Sequence, residues 1–227
     1  MNASADRIVL NVGCGPRQPD KLAPVFRDPG WRELRLDIDP DVEPDVVASL
    51  TDMRAVPDAS VDAVWSSHNL EHLFAHEVPT ALAEFRRVLK PQGFLLVTLP
   101  DLQAVAKVVA DGNPDAVLMR TRMNGAEGPP ITALDILFGH DWWIERGRTF
   151  MAHRTGFTRQ TLGRKLLDAG FGTVAVRPGP AFDLWAVAAV QPLRADLGLL
   201  DRAMGMGLGP ASVTTAPVQP SPLASAA

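Results

Sequence analysis

Apolar residues fall in short runs separated by turn-forming residues along most of the chain. Runs at residues 8–12, 34–38, 46–50, 61–66, 94–99, 172–176 and 184–190 read as strands. Several are continuous rather than alternating, the pattern of parallel strands covered on both faces. Between them the period changes to that of a helix. Residues 78–90 place Leu82, Phe85, Val88 and Leu89 at helical spacing, with Arg86, Arg87 and Lys90 near the end and Pro91-Gln92-Gly93 as a stop. Residues 158–169 form a second helical stretch, opened by Thr158 as N-cap and closed at Gly170. Strands alternating with helices predict an α/β sheet open at its carboxyl edge.

Three stretches break this rhythm. Residues 39–45 hold Pro40 and Pro44 and are too short for the dozen or more residues of a helical crossover, so a shortened extended link is expected after the second strand. Residues 111–154 lack clean periodicity, carry Gly112, Pro114, Gly125, Gly128, Pro129 and Pro130, and concentrate His140, Trp142, Trp143 and His153. An insert of that length reads as a lid. Residues 191–227 form a C-terminal extension that turns Gly-, Pro-, Ser- and Ala-rich from Gly205 onward and is expected to be largely disordered, leaving residues 1–190 as one domain.

The bulk numbers agree with one globular domain: 227 residues, 46% hydrophobic, mean hydropathy +0.04. A formal charge of −4 and a pI near 5.7 offer no electrostatic footprint for nucleic acid, and no nucleic-acid partner is expected. No apolar run approaches the roughly 18 residues of a membrane span, and the expected location is the cytoplasm, without a membrane partner. The single cysteine, Cys14, excludes a disulfide framework and reads as a small packing residue.

The chemistry concentrates near the start. Asn11-Val12-Gly13-Cys14-Gly15 follows a buried run, so the two glycines can turn the chain tightly and bring backbone against a ligand, with a helix expected to open just after. Asp37 closes the next apolar run, which sets its carboxylate at the carboxyl edge of a neighbouring strand, within reach of a ribose diol. The pair describes a nucleoside site. A nicotinamide dehydrogenase would want a third glycine three residues after Gly15, where this chain has Gln18. His68-Asn69-Leu70-Glu71-His72 formally matches an H-x-x-E-H zinc pattern, and His76 extends the spacing. It directly follows a strand, however, and so straddles a strand-to-helix turn; no metal is expected.

The ordered segments "LNVGCGP", "RLDID", "VDAVWSSHNLEHL", "ALAEFRRVLKPQGFLLVTLPD" and "HRTGFTRQTLGRKLLDAGF" together resemble class I S-adenosylmethionine-dependent methyltransferases of the small-molecule type 11 kind, from about residue 8 to residue 190. The resemblance implies a doubly wound, Rossmann-like, mostly parallel seven-stranded sheet with its last strand antiparallel and the insert before strand six. It implies S-adenosylmethionine as cofactor, with Gly13, Cys14 and Gly15 along the methionine part, Asp37 on both ribose hydroxyls and Ile38 on the adenine face. Ser49 and Leu50 fall beside the adenine amino group, and Ser66 offers backbone to the methionine ammonium. Asn11, Arg17 and Ser49 depart from the family pattern, where an acid, a third glycine and an aspartate are usual.

The expected activity is methyl transfer to oxygen, nitrogen or carbon of a small-molecule acceptor by in-line displacement. His153, His68 and His140 are the candidate general bases, and Asp101 a weaker candidate for orienting the acceptor. Trp65 reads as core. The alternatives are a non-catalytic nucleoside-binding module acting through a partner protein and, further off, a nicotinamide-dependent oxidoreductase. Neither acceptor nor oligomeric state is legible in the residues.

Overall fold

The computed structural model describes residues 7–18, 21–123 and 126–191. The expected C-terminal extension, from 192 on, lies outside the described residues. Seven strands form one sheet in the order β3-β2-β1-β4-β5-β9-β8: β1 (Arg7–Val12), β2 (Trp31–Asp37), β3 (Val46–Val47), β4 (Val61–Ser67), β5 (Leu89–Pro100), β8 (Thr173–Pro178) and β9 (Asp183–Ala189). All neighbouring pairs are parallel except those made by β9, which runs antiparallel to both β5 and β8. The sheet is the expected Rossmann-like one. The order reverses at β1, so the carboxyl ends of β1 and β4 flank the switch point where such sheets take ligands.

Helices α1 (Val78–Val88) and α5 (Arg159–Asp168) cover one face. Leu82 and Phe85 from α1 and Leu162 and Leu166 from α5 close over Leu10, Leu36, Val64 and Val97 in one continuous core. Helix α1 stops two residues earlier than its pattern predicts: Leu89 is extended, and Lys90 lies in β5, where its ammonium pairs with Asp62 at 2.9 Å. Helix α5 is capped as expected, the Thr158 hydroxyl accepting from the Thr161 N–H while Thr161 reaches back to the Thr158 N–H.

The opposite face is built differently. Among the described residues a 3₁₀ turn at Pro24–Phe26 stands where a helix was expected after the glycine turn, and the link after β2 holds another at Pro40–Val42. The run at 46–50 yields just two strand residues, β3, followed by a bridge between Ser49 and Asp52. Side chains take over the covering role. Phe26 stands edge-on to Trp31 at 5.0 Å and stacks on Phe94 at 6.0 Å, above a patch of Val9, Ala63, Trp65 and Leu96. Phe26 from the 3₁₀ turn thereby closes over apolar sheet surface together with the rings that Trp31 and Phe94 raise from β2 and β5.

The insert is more ordered than its sequence suggests. After α2 (Leu102–Ala110) comes a hairpin of β6 (Val117–Met123) and β7 (Ala126–Thr132), then α3 (Ala133–Phe138) and α4 (Asp141–Ile144). Val105 of α2 packs with Ala133 and Ile136 of α3 in a small core of its own. Asp101 is spoken for as the N-cap of α2, accepting from the N–H groups of Gln103 and Ala104.

Candidate functional site

Gly13 and Gly15 sit at φ +60° and +56°, the left-handed region that other residues enter at a cost. Each also carries a side chain over it. A Cβ on Gly13 would run into the Asn69 amide, and one on Gly15 into the Lys21 ammonium. Asn69 reaches across from the end of β4 and donates from Nδ2 to the Val12 carbonyl at 2.8 Å. Gly13 is therefore fixed by the hydrogen-bonded Asn69 side chain as well as by its backbone, a reason the sequence alone did not disclose.

Asp37, 9% exposed at the end of β2, is held on both oxygens: Gly15 N–H donates to Oδ2 at 2.7 Å and Asp39 N–H to Oδ1 at 3.0 Å. Each oxygen keeps a lone pair for a hydroxyl donor. Behind the turn lies Arg35, 2% exposed, whose guanidinium donates to the carbonyls of Gly15, Val42 and Glu43. An arginine inside a strand gave no hint of this; it ties the glycine turn to the shortened link where a helix is missing. Asn11 faces the same side and donates from Nδ2 to Glu33 at 2.7 Å.

A cavity of about 400 Å³ opens beside the turn. Gly13, Cys14, Lys21 and Pro24 line it together with His68, Thr98, Asp183 and Trp185. Asn11 also reaches it. Burial pushes the Cys14 thiol up to about 11 and lowers the Lys21 ammonium from its ordinary value. Asp183 is nearly buried and accepts from Trp185 Nε1 at 2.7 Å and Thr98 Oγ1 at 3.2 Å. Its signal was missed because it opens an apolar run as the lone acid. Trp65 is core, its Nε1 donating to the Lys21 carbonyl.

The remaining nucleoside residues lie along the edge beyond Asp37. Ile38 is 65% exposed, a bare apolar surface next to the carboxylate. Leu50 is half-buried, and the Ser49 hydroxyl is engaged with Thr51 at 2.9 Å. Ser66 is buried at the end of β4, paired with Val12 and Val97.

The three candidate histidines separate. His68 takes φ +54° at the end of β4, rare for a non-glycine residue, and its N–H donates to the Thr98 carbonyl at 2.8 Å. It lines the cavity with its Nδ1 3.3 Å from Glu71 Oε1. Burial alone would lower its pKa, but the Glu71 carboxylate outweighs that and the net direction is upward. His153 lies instead beside His72, ring centroids 4.9 Å apart, and burial lowers its pKa. His140 caps α4, hydrogen-bonds through Nε2 to the Pro130 carbonyl at 3.0 Å and does not line the cavity. Among the described helices none is long and apolar enough to cross a membrane.

Comparison with known proteins fits this geometry. Residues 10–97, from β1 through β5, match the family model described as a methyltransferase domain. No curated protein matches the chain. Among solved structures, the methyltransferase (CMeT) domain of the citrinin polyketide synthase is 15% identical with a TM-score of 0.52, over 85% of this chain and 48% of that one. A SAM-dependent methyltransferase from Archaeoglobus fulgidus is 16% identical with a TM-score of 0.50, over 81% and 86% of the two chains. An O-methyltransferase family protein from Burkholderia thailandensis is 16% identical with a TM-score of 0.51, over 82% and 51%. The chain thus spans about half the length of two of these. The matched segment carries the glycine turn, the Asp37 strand edge and the β4–β5 pair, and the solved structures share the fold of the sheet around it.

Proposed function

We propose that the chain binds S-adenosylmethionine along the carboxyl edge of β2, β1 and β4 and methylates a small molecule held in the cavity beside His68. The single observation that carries this reading is the cavity itself, which runs from the glycine turn to a wall of polar groups and has the volume of a small-ligand site. Asp37 accepts from the ribose hydroxyls, Ile38 packs on the adenine, and the Lys21 ammonium faces the methionine carboxylate. Ser49, Leu50 and Ser66 complete the edge, and Asn11, Cys14, Gly13 and Gly15 shape the turn.

The bound cofactor supplies a methyl group on a sulfonium, a carbon open to in-line attack. The protein's task is alignment, worth up to about 7–11 kcal/mol in the best intramolecular cases. Displacement would leave a neutral thioether, so Asp37, Gly13, Gly15 and Lys21 would need only to hold the cofactor while the cavity walls orient the acceptor. For a hydroxyl acceptor, His68 takes up the proton, and the Glu71 carboxylate behind its Nδ1 steadies the imidazolium that results. Thr98 and Asp183, which line the same cavity, orient the acceptor.

Calorimetry with S-adenosylmethionine, followed by turnover against a panel of hydroxyl, amine and activated-carbon acceptors, tests the reading. Binding with product supports it. Binding without product from any acceptor favours a non-catalytic nucleoside-binding module, and absence of binding removes both.

A further inference from the structure

The buried carboxylate behind His68 is an unsettled group. Glu71 is 1% exposed, and neither of its oxygens accepts a hydrogen bond; the His68 Nδ1 contact at 3.3 Å is ionic in distance but lacks hydrogen-bond geometry. A buried carboxylate with one ionic contact and no hydrogen bond is poorly compensated, so a further partner is expected to meet it. What faces it is a pair of imidazoles. A carboxylate oxygen of Glu71 and one ring nitrogen each from His72 and His153 lie within 4.8 Å of one another.

The two rings are also set in the state a metal needs. His153 Nδ1 lies 2.8 Å from the Ile136 carbonyl oxygen and His72 Nδ1 3.3 Å from that of Ala152. A carbonyl can only accept, so Nδ1 carries the proton in both rings and Nε2 is left with a free lone pair. Metal-ligating histidines are held in this way, the second nitrogen donating to a carbonyl or carboxylate. The scaffold is rigid on both sides: Arg154 and Thr155 N–H groups both donate to the Glu71 carbonyl, and His153 N–H donates to that of Phe138. Glu71 and His153, though not His72, also border a small cavity of about 20 Å³ whose other walls are largely apolar.

We propose that Glu71, His72 and His153 bind one divalent transition-metal ion, zinc being the best match to two imidazoles and a carboxylate, with at least one coordination position open. Ligand atoms around a tetrahedral ion with bonds near 2.1 Å stand about 3.4 Å apart, and donor atoms of these three side chains already lie within 4.8 Å of one another. The donor set is nitrogen and oxygen with no thiolate, which suits zinc, cobalt or iron and not a soft monovalent ion. Glu71 uses one oxygen toward the metal and keeps the other toward His68. The ion would pin the end of the insert, through His153, to the turn after β4. The H-x-x-E-H run contributes only two of its residues, and the third ligand comes from 81 positions further on, which is why the run read as a broken helix motif.

The test uses the full chain, stripped with EDTA and exchanged into metal-free buffer. Titration with Co²⁺ is expected to give visible ligand-field absorption saturating at one equivalent. Zn²⁺ is expected to displace it and to raise Tm by about 5–10 °C at a hundredfold excess over Kd. Glu71→Gln, nearly isosteric, and His153→Ala are each expected to weaken Zn²⁺ binding at least 100-fold while the metal-free far-UV spectrum and melting transition stay cooperative. His76→Ala, at an exposed site, leaves binding unchanged. Should His153→Ala fail to fold, Glu71→Gln and His72→Gln decide. A folded wild-type chain that takes up no stoichiometric Co²⁺ or Zn²⁺, or a Glu71→Gln variant that binds as tightly as wild type, overturns the site. These readouts need no methyl acceptor and stand apart from the outcome of the cofactor experiment.

Discussion

The Gly15 N–H donates to Asp37 Oδ2 at 2.7 Å, so the glycine turn and the carboxylate expected at the ribose hold each other in place before any cofactor arrives. Pre-organisation of this kind lowers the ordering cost of binding. Asp37→Ala is therefore expected to act twice, removing the ribose contacts and freeing the turn. Hydrogen bonds to a charged group are worth about 1.5–3 kcal/mol, so the Kd for S-adenosylmethionine should rise on the order of 10- to 100-fold by calorimetry. An unchanged Kd would refute the ribose assignment.

Gly13→Ala should lower stability by about 1–3 kcal/mol, from the left-handed backbone and the collision with Asn69 together. In a double-mutant cycle with Asn69→Ala the steric part is relieved and the backbone part remains, giving a coupling of at least about 0.5 kcal/mol. Additive losses in thermal or urea melts would show that Asn69 does not press on the turn.

Arg35→Met should cost about 3–5 kcal/mol, because three carbonyls lose their shared donor in a buried place. Arg35→Lys should recover little, since one ammonium cannot reproduce the fork that spans Gly15, Val42 and Glu43. Melting curves of the two variants decide; a wild-type Tm for Arg35→Lys would mean that charge alone suffices.

His68→Ala should reduce kcat with a hydroxyl acceptor by about 10²- to 10⁴-fold with little change in cofactor Kd, as expected for a group that handles the acceptor's proton. His140→Ala should leave turnover as it is, because its ring is tied to Pro130 away from the cavity. Turnover unaffected by the first change, or abolished by the second, would reverse the assignment.

Cys14 should resist alkylation. With its pKa pushed up to about 11 and its sulfur buried, only about one thiol in a thousand is ionised at pH 8, and labelling by iodoacetamide should speed up at least 100-fold when the chain is unfolded in urea. Equal rates in the two states would show an open, acidic thiol.

The sheet was legible in the sequence because continuous apolar runs such as residues 184–189 of β9 suit buried strands, and the antiparallel last strand followed from the family resemblance. The face opposite α1 was not. Phe26, Trp31 and Phe94 lie far apart in sequence and have no common period, so their joint role as a cover appears only in three dimensions. Arg35 and Glu71 escaped for the opposite reason. Periodicity registers a charged residue as solvent-facing, whereas both are buried and satisfied, or left waiting, by groups remote in the chain. His153 and His68 were both singled out, but nothing in their spacing told that the first would pair with His72 and the second with the cavity.

The small core shared by α2 and α3 has a consequence for how such a chain can change. Val105, Ala133 and Ile136 satisfy one another, so substitutions in the hairpin and the short helices can accumulate without loosening Leu10, Phe85 or their neighbours. The insert can therefore change its shape and surface while the sheet that carries the glycine turn and Asp37 is held still.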